Sequence, residues 1–245
     1  MIPRRSVPAG TSLAALLLFL FAAGAATSQA LRVMPVTIQM LPGQSATTIT
    51  VINEGSAVTA IQVRIYGWTQ SDGTDRLVDT TELLASPPLA SITAGESQMV
   101  RLVLRRMPKG REATYRILLD QIPAASTPGI VQVVMRMSIP VFAQPATRAV
   151  PHVQFHIERD AEKAYLVVVN DGLRHEAIRD VVLSASDGKP LKNDSGASPY
   201  VLAGATRRWL IDAQASLPPA GESLHMKAHA DAGALDQQVR IVGTP

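Results

Sequence analysis

The chain contains no cysteine. That excludes disulfides, thiolate nucleophiles and cysteine-ligated metals. Aromatic residues make up only 4% of the sequence, and the basic residues are scattered. A nucleic-acid binder would show clustered cations with aromatics among them. No G-x-S-x-G, P-loop or G-x-G-x-x-G occurs, so the common nucleophile and phosphate-binding motifs are missing. Beyond residue 30, no apolar run is long enough to span a bilayer as a helix. No stretch beyond that point shows a helical period either. A secreted chain without disulfides must rely on its apolar cores.

The first 30 residues read as a cleavable secretory signal. Arg4 and Arg5 form a positive n-region, Leu13 to Ala26 an apolar stretch, and Ser28-Gln29-Ala30 a small-x-small cleavage site. The mature chain then begins near Leu31 and is expected to be soluble. The whole chain has 23 Lys+Arg and 20 Asp+Glu. Removing Arg4 and Arg5 leaves 21 against 20, so the secreted product is nearly neutral. Its roughly 215 residues suffice for one large domain or two of about 100.

What is present is a succession of strand patterns. Thr47–Ile52, Ala60–Trp68, Gln98–Leu104, Thr114–Ile122, His152–Ile157, Tyr165–Asn170, Asp180–Ser184, Arg207–Ile211 and Gln238–Val242 alternate or run apolar between Gly, Pro, Asn and Asp turn signals. This is the pattern of β-sandwiches. A weak repeat divides the chain: Val51-Ile52-Asn53-Glu54-Gly55 returns as Val168-Val169-Asn170-Asp171-Gly172, and Ala94-Gly95 returns as Ala203-Gly204. It favours two similar β-domains, with Ala143–Pro151 as the linker.

Ile130–Phe142 is the most informative segment. Val131, Val133, Met135, Met137 and Ile139 share one face of a strand; Gln132, Val134, Arg136 and Ser138 take the other. Pro140 cannot donate to a ladder, which places the strand at or near a sheet edge. A long, apolar, weakly charged edge is an aggregation hazard that proteins normally blunt. Where one persists, pairing with another chain explains it.

Other polar residues receive plainer readings. His152 and His156, like His225 and His229, are four apart on strands, a span of ~13 Å that no single metal ion bridges. Ser186-Asp187-Gly188-Lys189 matches S-x-x-K, but Asp187-Gly188 reads as a hairpin turn and the accompanying motifs are absent. Asp72-Gly73 is another turn signal. Asp120, an acid among apolar residues, reads as an ion-pair partner. Arg101 and Arg116 each lie between apolar neighbours, which directs a guanidinium to a cleft or an acid; arginine suits bidentate capture of a carboxylate. No catalytic constellation is assembled, so no enzyme activity and no cofactor are expected.

At this point the residues resemble a family. Ala85-Ser86-Pro87-Pro88, Ile92-Thr93-Ala94-Gly95 and Met99-Val100-Arg101-Leu102 occur in the order seen in periplasmic pilus chaperones of the PapD type. Tyr115-Arg116-Ile117-Leu118-Leu119-Asp120-Gln121-Ile122-Pro123 resembles their strand ending in an acid-Ile-Pro turn. Met137-Ser138-Ile139-Pro140-Val141-Phe142 followed by Pro145 resembles the end of their subunit-binding strand. The match spans most of Leu31–Pro151. Tyr-Arg-Ile-Leu-Leu-Asp with Ser-Ile-Pro-Val-Phe is most similar to the archaic, Csu-like subclass.

The resemblance implies an all-β fold of two immunoglobulin-like β-sandwich domains in a boomerang, residues 31–147 and 148–245. It implies an ATP-independent chaperone whose partners are pilus subunits and an outer-membrane usher. The strand Ile130–Phe142 would be lent to a subunit lacking its last strand, with Val131, Val133, Met135, Met137 and Ile139 filling the groove. Each fully buried aliphatic side chain contributes ~1.5–3 kcal/mol before ordering costs. Family members hold the subunit's C-terminal carboxylate with an Arg on the first strand and a Lys on the donor strand. Thr37 and Pro140 stand there in this chain, so Arg116, Arg136 and Arg148 become the anchor candidates. Arg101 with Asp231, and Asp120 as a third member, are expected to form the interdomain ion pair. The alternative is a secreted two-domain adhesion or carbohydrate-binding module with this strand closed inside a sandwich.

Overall fold

The computed structural model describes residues 31–123, 129, 133–159, 163–185, 187–212 and 217–243. Among them there is no α-helix, only a single 3-10 turn at Ser195–Ala197. The chain folds as two β-sandwich domains.

The first is built from β1 (Leu31–Met34), β2 (Ile38–Met40), β3 (Ala46–Asn53), β4 (Thr59–Ser71), β5 (Thr74–Asp79), β6 (Leu83–Ser86), β7 (Leu89–Ile92), β8 (Ser97–Leu104), β9 (Ala113–Ile122) and β10 (Arg136–Ala143). One sheet runs β1-β3-β8-β6 and the other β2-β10-β9-β4-β5, with β7 also on β4. Strand alternation sets the core. Ile61 and Val63 of β4, Ile117 and Leu119 of β9, and Ile139 and Val141 of β10 point inward and meet Ile49, Val51, Val100 and Leu102 of the facing sheet. The other face of the β2–β5 sheet carries Arg64, Tyr66 and Trp68 of β4, Arg116 and Asp120 of β9, and Arg136, Ser138 and Phe142 of β10. Asp72 and Gly73 both have positive φ, 53° and 74°. That backbone suits a tight hairpin turn, here between β4 and β5.

The second domain comprises β11 (Val153–Arg159), β12 (Ala164–Asn170), β13 (Glu176–Ala177), β14 (Arg179–Ser184), β15 (Pro190–Asn193), β16 (Tyr200–Val201), β17 (Ala205–Asp212), β18 (Ser223–Ala230) and β19 (Gly233–Gly243). β15 pairs with both β14 and β17, and β19 with both β18 and β11. The two layers are therefore joined into a closed barrel around Trp209, Leu166, Ile157, Leu224 and Met226. His225 and His229 lie on one strand, as their spacing was read: in β18 the polar outer residues His225, Lys227 and His229 alternate with buried Leu224, Met226 and Ala228.

The weak repeat is a shared device. Asn53 is buried; its Nδ2 donates to the carbonyls of Ala57 (2.8 Å) and Ile92 (2.9 Å), and its Oδ1 accepts from Gly55 N–H (3.0 Å). Asn170 does the same in the second domain, to Arg174 (2.8 Å), Val201 (3.0 Å) and Gly172 (3.0 Å). Each asparagine thus closes its own turn and ties it to a distant strand. The paired Gly95 and Gly204 both sit at positive φ just before a strand.

Truncating either asparagine takes a donor from two carbonyls, one buried and one half-buried; the buried one costs about 1–3 kcal/mol if left unmet. Asn53→Ala and Asn170→Ala should therefore each lower the urea midpoint clearly. A shift no larger than that of an exposed Asn→Ala control would show that water replaces these bonds freely.

The donor edge and the interdomain cleft as candidate functional site

β10 pairs antiparallel with β9 along its whole length, from Arg136 opposite Asp120 to Ala143 opposite Ala113. On its other side β2 runs parallel and covers only Val141–Ala143. The edge is therefore open from Arg136 to Pro140. Gln121 N–H donates to the Met135 carbonyl at 2.9 Å. Antiparallel ladders alternate bonded and non-bonded pairs. Met135, Met137 and Ile139 thus turn their backbone groups to β9, and Arg136, Ser138 and Pro140 turn theirs outward. The open edge offers two N–H groups and two carbonyls, from Arg136 and Ser138, because Pro140 brings no N–H and its carbonyl faces Ile38 of β2 in the parallel register.

The strand is shorter than its sequence pattern suggests. Ile130, Val131 and Gln132 lie outside the described residues, and Val133–Met135 are not in strand conformation. β9 ends at Ile122, and its last reach is Gln121, whose Oε1 accepts the Met135 N–H at 3.3 Å. Past that point no described strand pairs with the chain. Val133 is 87% exposed, Met135 is half-buried, and Met137 packs partly on the core. Ile139, expected on the offered face, is 3% exposed and belongs to this domain's own core. The alternation is as read, but the sandwich claims its C-terminal end.

Asp120 fixes where the strand begins. It accepts from Arg64 Nη2 at 2.6 Å and Nε at 3.0 Å, and it forms an ion pair with Arg136. Burial works to raise its pKa, but the hydrogen bonds from Arg136 and Arg64 outweigh this and hold the carboxyl below the usual range. Arg136 is thereby occupied, and Asp120 is a clasp within the first domain, not an interdomain residue.

The expected interdomain set is otherwise placed. Arg101 stands exposed on β8, in the sheet turned away from the junction, and no carboxylate pairs with it among the described residues. Asp231 is held by Arg179 of its own domain at 2.8 Å. The junction uses other residues. Arg207 Nη1 donates to Asp75 Oδ1 at 2.9 Å. Gln70 donates to the Tyr200 carbonyl and accepts from Leu202 N–H, both at 2.9 Å. Glu112, 5% exposed, accepts the His175 backbone N–H at 2.9 Å, with His175 Nδ1 2.7 Å from the same oxygen. The His175 ring stacks on Phe142 at 3.5 Å, and Trp68 and Phe142 pack against Leu202, Ala205 and Tyr200. None of these pairs is visible at any sequence spacing.

A cavity of about 390 Å³ opens beside this junction, lined by Trp68, Asp75, Leu77, Arg116, Ser138, Ser198, Pro199 and Tyr200. Arg116 lies opposite Pro140, at the last open position of the edge. Its guanidinium sits 3.7 Å from the centre of the Trp68 ring and 5.8 Å from that of Tyr200, and it has no ion-pair partner among the described residues. Burial lowers its pKa below the usual arginine range; Asp75 and Tyr200 counter this and Arg207 adds to it. Arg148 is exposed in the linker, away from these contacts. Of the three anchor candidates, Arg116 alone faces the cleft with its N–H groups uncommitted to a carboxylate.

An immunoglobulin-like pair of β-domains with an open donor edge beside a basic cleft is the class the fold and site define. Residues 30–149 match the family described as pili and flagellar-assembly chaperone, PapD N-terminal domain; the chain belongs to this pilus-chaperone family through its first domain. No curated protein matches the sequence. The fold is similar to a chain of the CsuC-CsuE chaperone–tip adhesion subunit pre-assembly complex from archaic Csu pili of Acinetobacter baumannii. That match has 22% identity and TM-score 0.64, covering 88% of this chain and 100% of that one. It is also similar to the E. coli chaperone DraB, with 19% identity and TM-score 0.58, covering 86% and 97%. A chain of the Salmonella enterica SafA pilin–SafB chaperone complex matches with 15% identity and TM-score 0.61, covering 88% and 99%.

Because the folded-state pKa of Asp120 is depressed, its stabilisation is complete above the unfolded carboxyl range, near 4, and is lost as pH falls through the folded value. Wild type should therefore exceed Asp120→Asn in stability at pH 7, with the gap closing towards pH 3. A gap that stays constant in urea titrations across that range would remove the charge of Asp120 from the clasp.

Proposed function

We propose that the protein is a periplasmic chaperone that lends β10 to pilus subunits by donor-strand complementation and passes them to an outer-membrane usher. We take residues 1–30 as the secretory signal, 31–147 as the chaperone domain carrying the donor segment, and 148–245 as the second domain. The observation that carries this reading is the edge: open over Arg136–Pro140, preceded by exposed apolar residues, and closed by β2 from Val141. A client strand added there has its backbone paired by the outward groups of Arg136 and Ser138, and Val133, Met135 and Met137 provide the apolar surface. Methionine side chains adapt to varied pockets.

The geometry also orients the client. An added strand must stop where β2 begins, and Arg116 stands at that level. A carboxylate terminus placed there lies in the cleft and gains charge-assisted hydrogen bonds, which requires the client strand to run parallel to β10. Binding needs no nucleotide, and release follows when a competing strand replaces β10.

Val133 is so exposed that Val133→Asp leaves the fold intact while placing a charge in the client's groove. Purification of the chaperone from periplasm of pilus-making cells, with mass spectrometry of co-eluting proteins, should find a small β-rich subunit at stoichiometric level. Val133→Asp should abolish it, and Arg116→Ala should reduce it about tenfold or more. A subunit retained in full by Val133→Asp would reject strand lending.

A further inference from the structure

The clasp at the start of β10 does not balance its charges. Asp120 accepts from Arg64 on one oxygen and from Arg136 on the other. Two arginines thus share one carboxylate, and no other carboxylate pairs with them among the described residues. One positive charge is in excess. Arg64 has its donors committed: Nε and Nη2 go to Asp120, and Nη1 donates to the Tyr66 hydroxyl at 3.1 Å. Arg136 is occupied on one side only. Its Nε–H goes to Asp120, and neither Nη group donates a hydrogen bond among the described residues. Its side chain is 64% exposed, against 14% for Asp120. The spare half of this guanidinium therefore stands at the open edge, on a residue whose backbone N–H and carbonyl also turn outward.

A strand added to this edge runs about 4.8 Å from β10. Residues level with one another in neighbouring strands turn to the same face, so the client residue beside Arg136 meets its guanidinium. That face is opposite to the one Met135 and Met137 take, and is turned away from the client's groove. Strand addition also covers Arg136 and takes water from it. An apolar neighbour leaves the uncommitted N–H groups unmet, and a basic one adds a like charge. A carboxylate supplies the opposite charge and a bidentate acceptor. We propose that Arg136 is a specificity-determining residue, which reads an acidic side chain on the client strand, level with Arg136 and on the face away from the groove. The inference rests on the strand-lending reading and adds to it the kind of strand that is accepted: apolar residues towards Met135 and Met137, an acid towards Arg136. Asp120 sets the strength of the preference, since it holds one half of the same guanidinium.

The test uses the full-length mature protein and short fluorescein-labelled peptides of alternating Val and Thr, in which one Thr at a time is replaced by Glu, Gln or Lys. Binding is read by anisotropy, and hydrogen exchange at the Arg136 and Ser138 amides reports strand addition. Binding should slow both amides. At one Thr position Glu should bind about threefold to fivefold tighter than Gln, and Lys should be weakest. Added salt should shrink the difference. Arg136→Gln, at an exposed position, should abolish the order at that position and spare the unsubstituted peptide. Arg136→Lys should keep part of it, and Asp120→Asn, which releases Nε, should widen it. Equal binding of the Glu, Gln and Lys peptides, or an order that survives Arg136→Gln, would overturn the role of Arg136 and leave strand lending in place. Uniform weakening of every peptide by Arg136→Gln would do the same, by making the residue structural. Peptides that bind without slowing the two amides, or no binding by any peptide, would overturn both.

Discussion

The organising constraint is that a strand edge must be paired, blunted or used. β10 is paired on both sides at its C-terminal end and on one side only over Arg136–Pro140. The usual ways of blunting an edge are sparse here. The nearest charge, Arg136, is drawn back across the sheet to Asp120, and Ser138 is small. Pro140 is the one protective residue, and it sits at the end of the open stretch, where it limits the edge and does not close it. An apolar segment leading into such an edge gives poor protection against aggregation and good access for a partner strand.

The second constraint is the junction. Phe142, two residues beyond Pro140, is fully buried between Trp68, Tyr200 and the stacked His175 ring. Along β10, inward residues enter the sandwich of the first domain, while Phe142 on the other face enters the interface with the second. The C-terminal end of the strand is therefore fixed by two apolar clusters and by the buried Glu112–His175 contact nearby. Aromatic contacts of this kind add about 0.5–1.5 kcal/mol beyond area burial. The junction also brings Ser198 and Tyr200 of one domain to the same cavity as Arg116 of the other.

Much of this was legible in the sequence wherever the signal was local. Period-2 alternation gave the faces of β4, β9 and β10, and Asp72-Gly73 marked a turn. The repeat of Val51-Ile52-Asn53-Glu54-Gly55 as Val168-Val169-Asn170-Asp171-Gly172 marked two asparagines with matching hydrogen bonds. Arg116, flagged by its apolar neighbours, is the cleft arginine. What failed was long-range pairing. Arg101 and Asp231 are each separated from the junction by topology: one is on the far sheet, and the other is tied to Arg179. The pairs that do join the domains, Asp75 with Arg207 and Glu112 with His175, are far apart in sequence, and β5, which carries Asp75, is too polar to stand out as a strand. The start of β10 was also overcalled, because alternation reports which face a residue takes and not whether a partner strand reaches it.

These constraints combine into a strand that is firm at one end and loose at the other. From Ile139 onward its residues are committed to two cores; before Arg136 the described residues have only the Gln121 contacts to hold them. On the strand-lending proposal, a partner strand laid along this edge would gain most order beside the cleft and Arg116, and least where Val133 projects into water. Exchange for another strand would then start at the loose end, where each step gives up one pair of backbone bonds and one side chain, with no large barrier from concerted loss. The proposed anchor at Arg116 fits this arrangement. With proline at the last open position, β10 has neither an N–H nor a charged side chain to hold a terminus there, and the neighbouring strand supplies the arginine directly opposite.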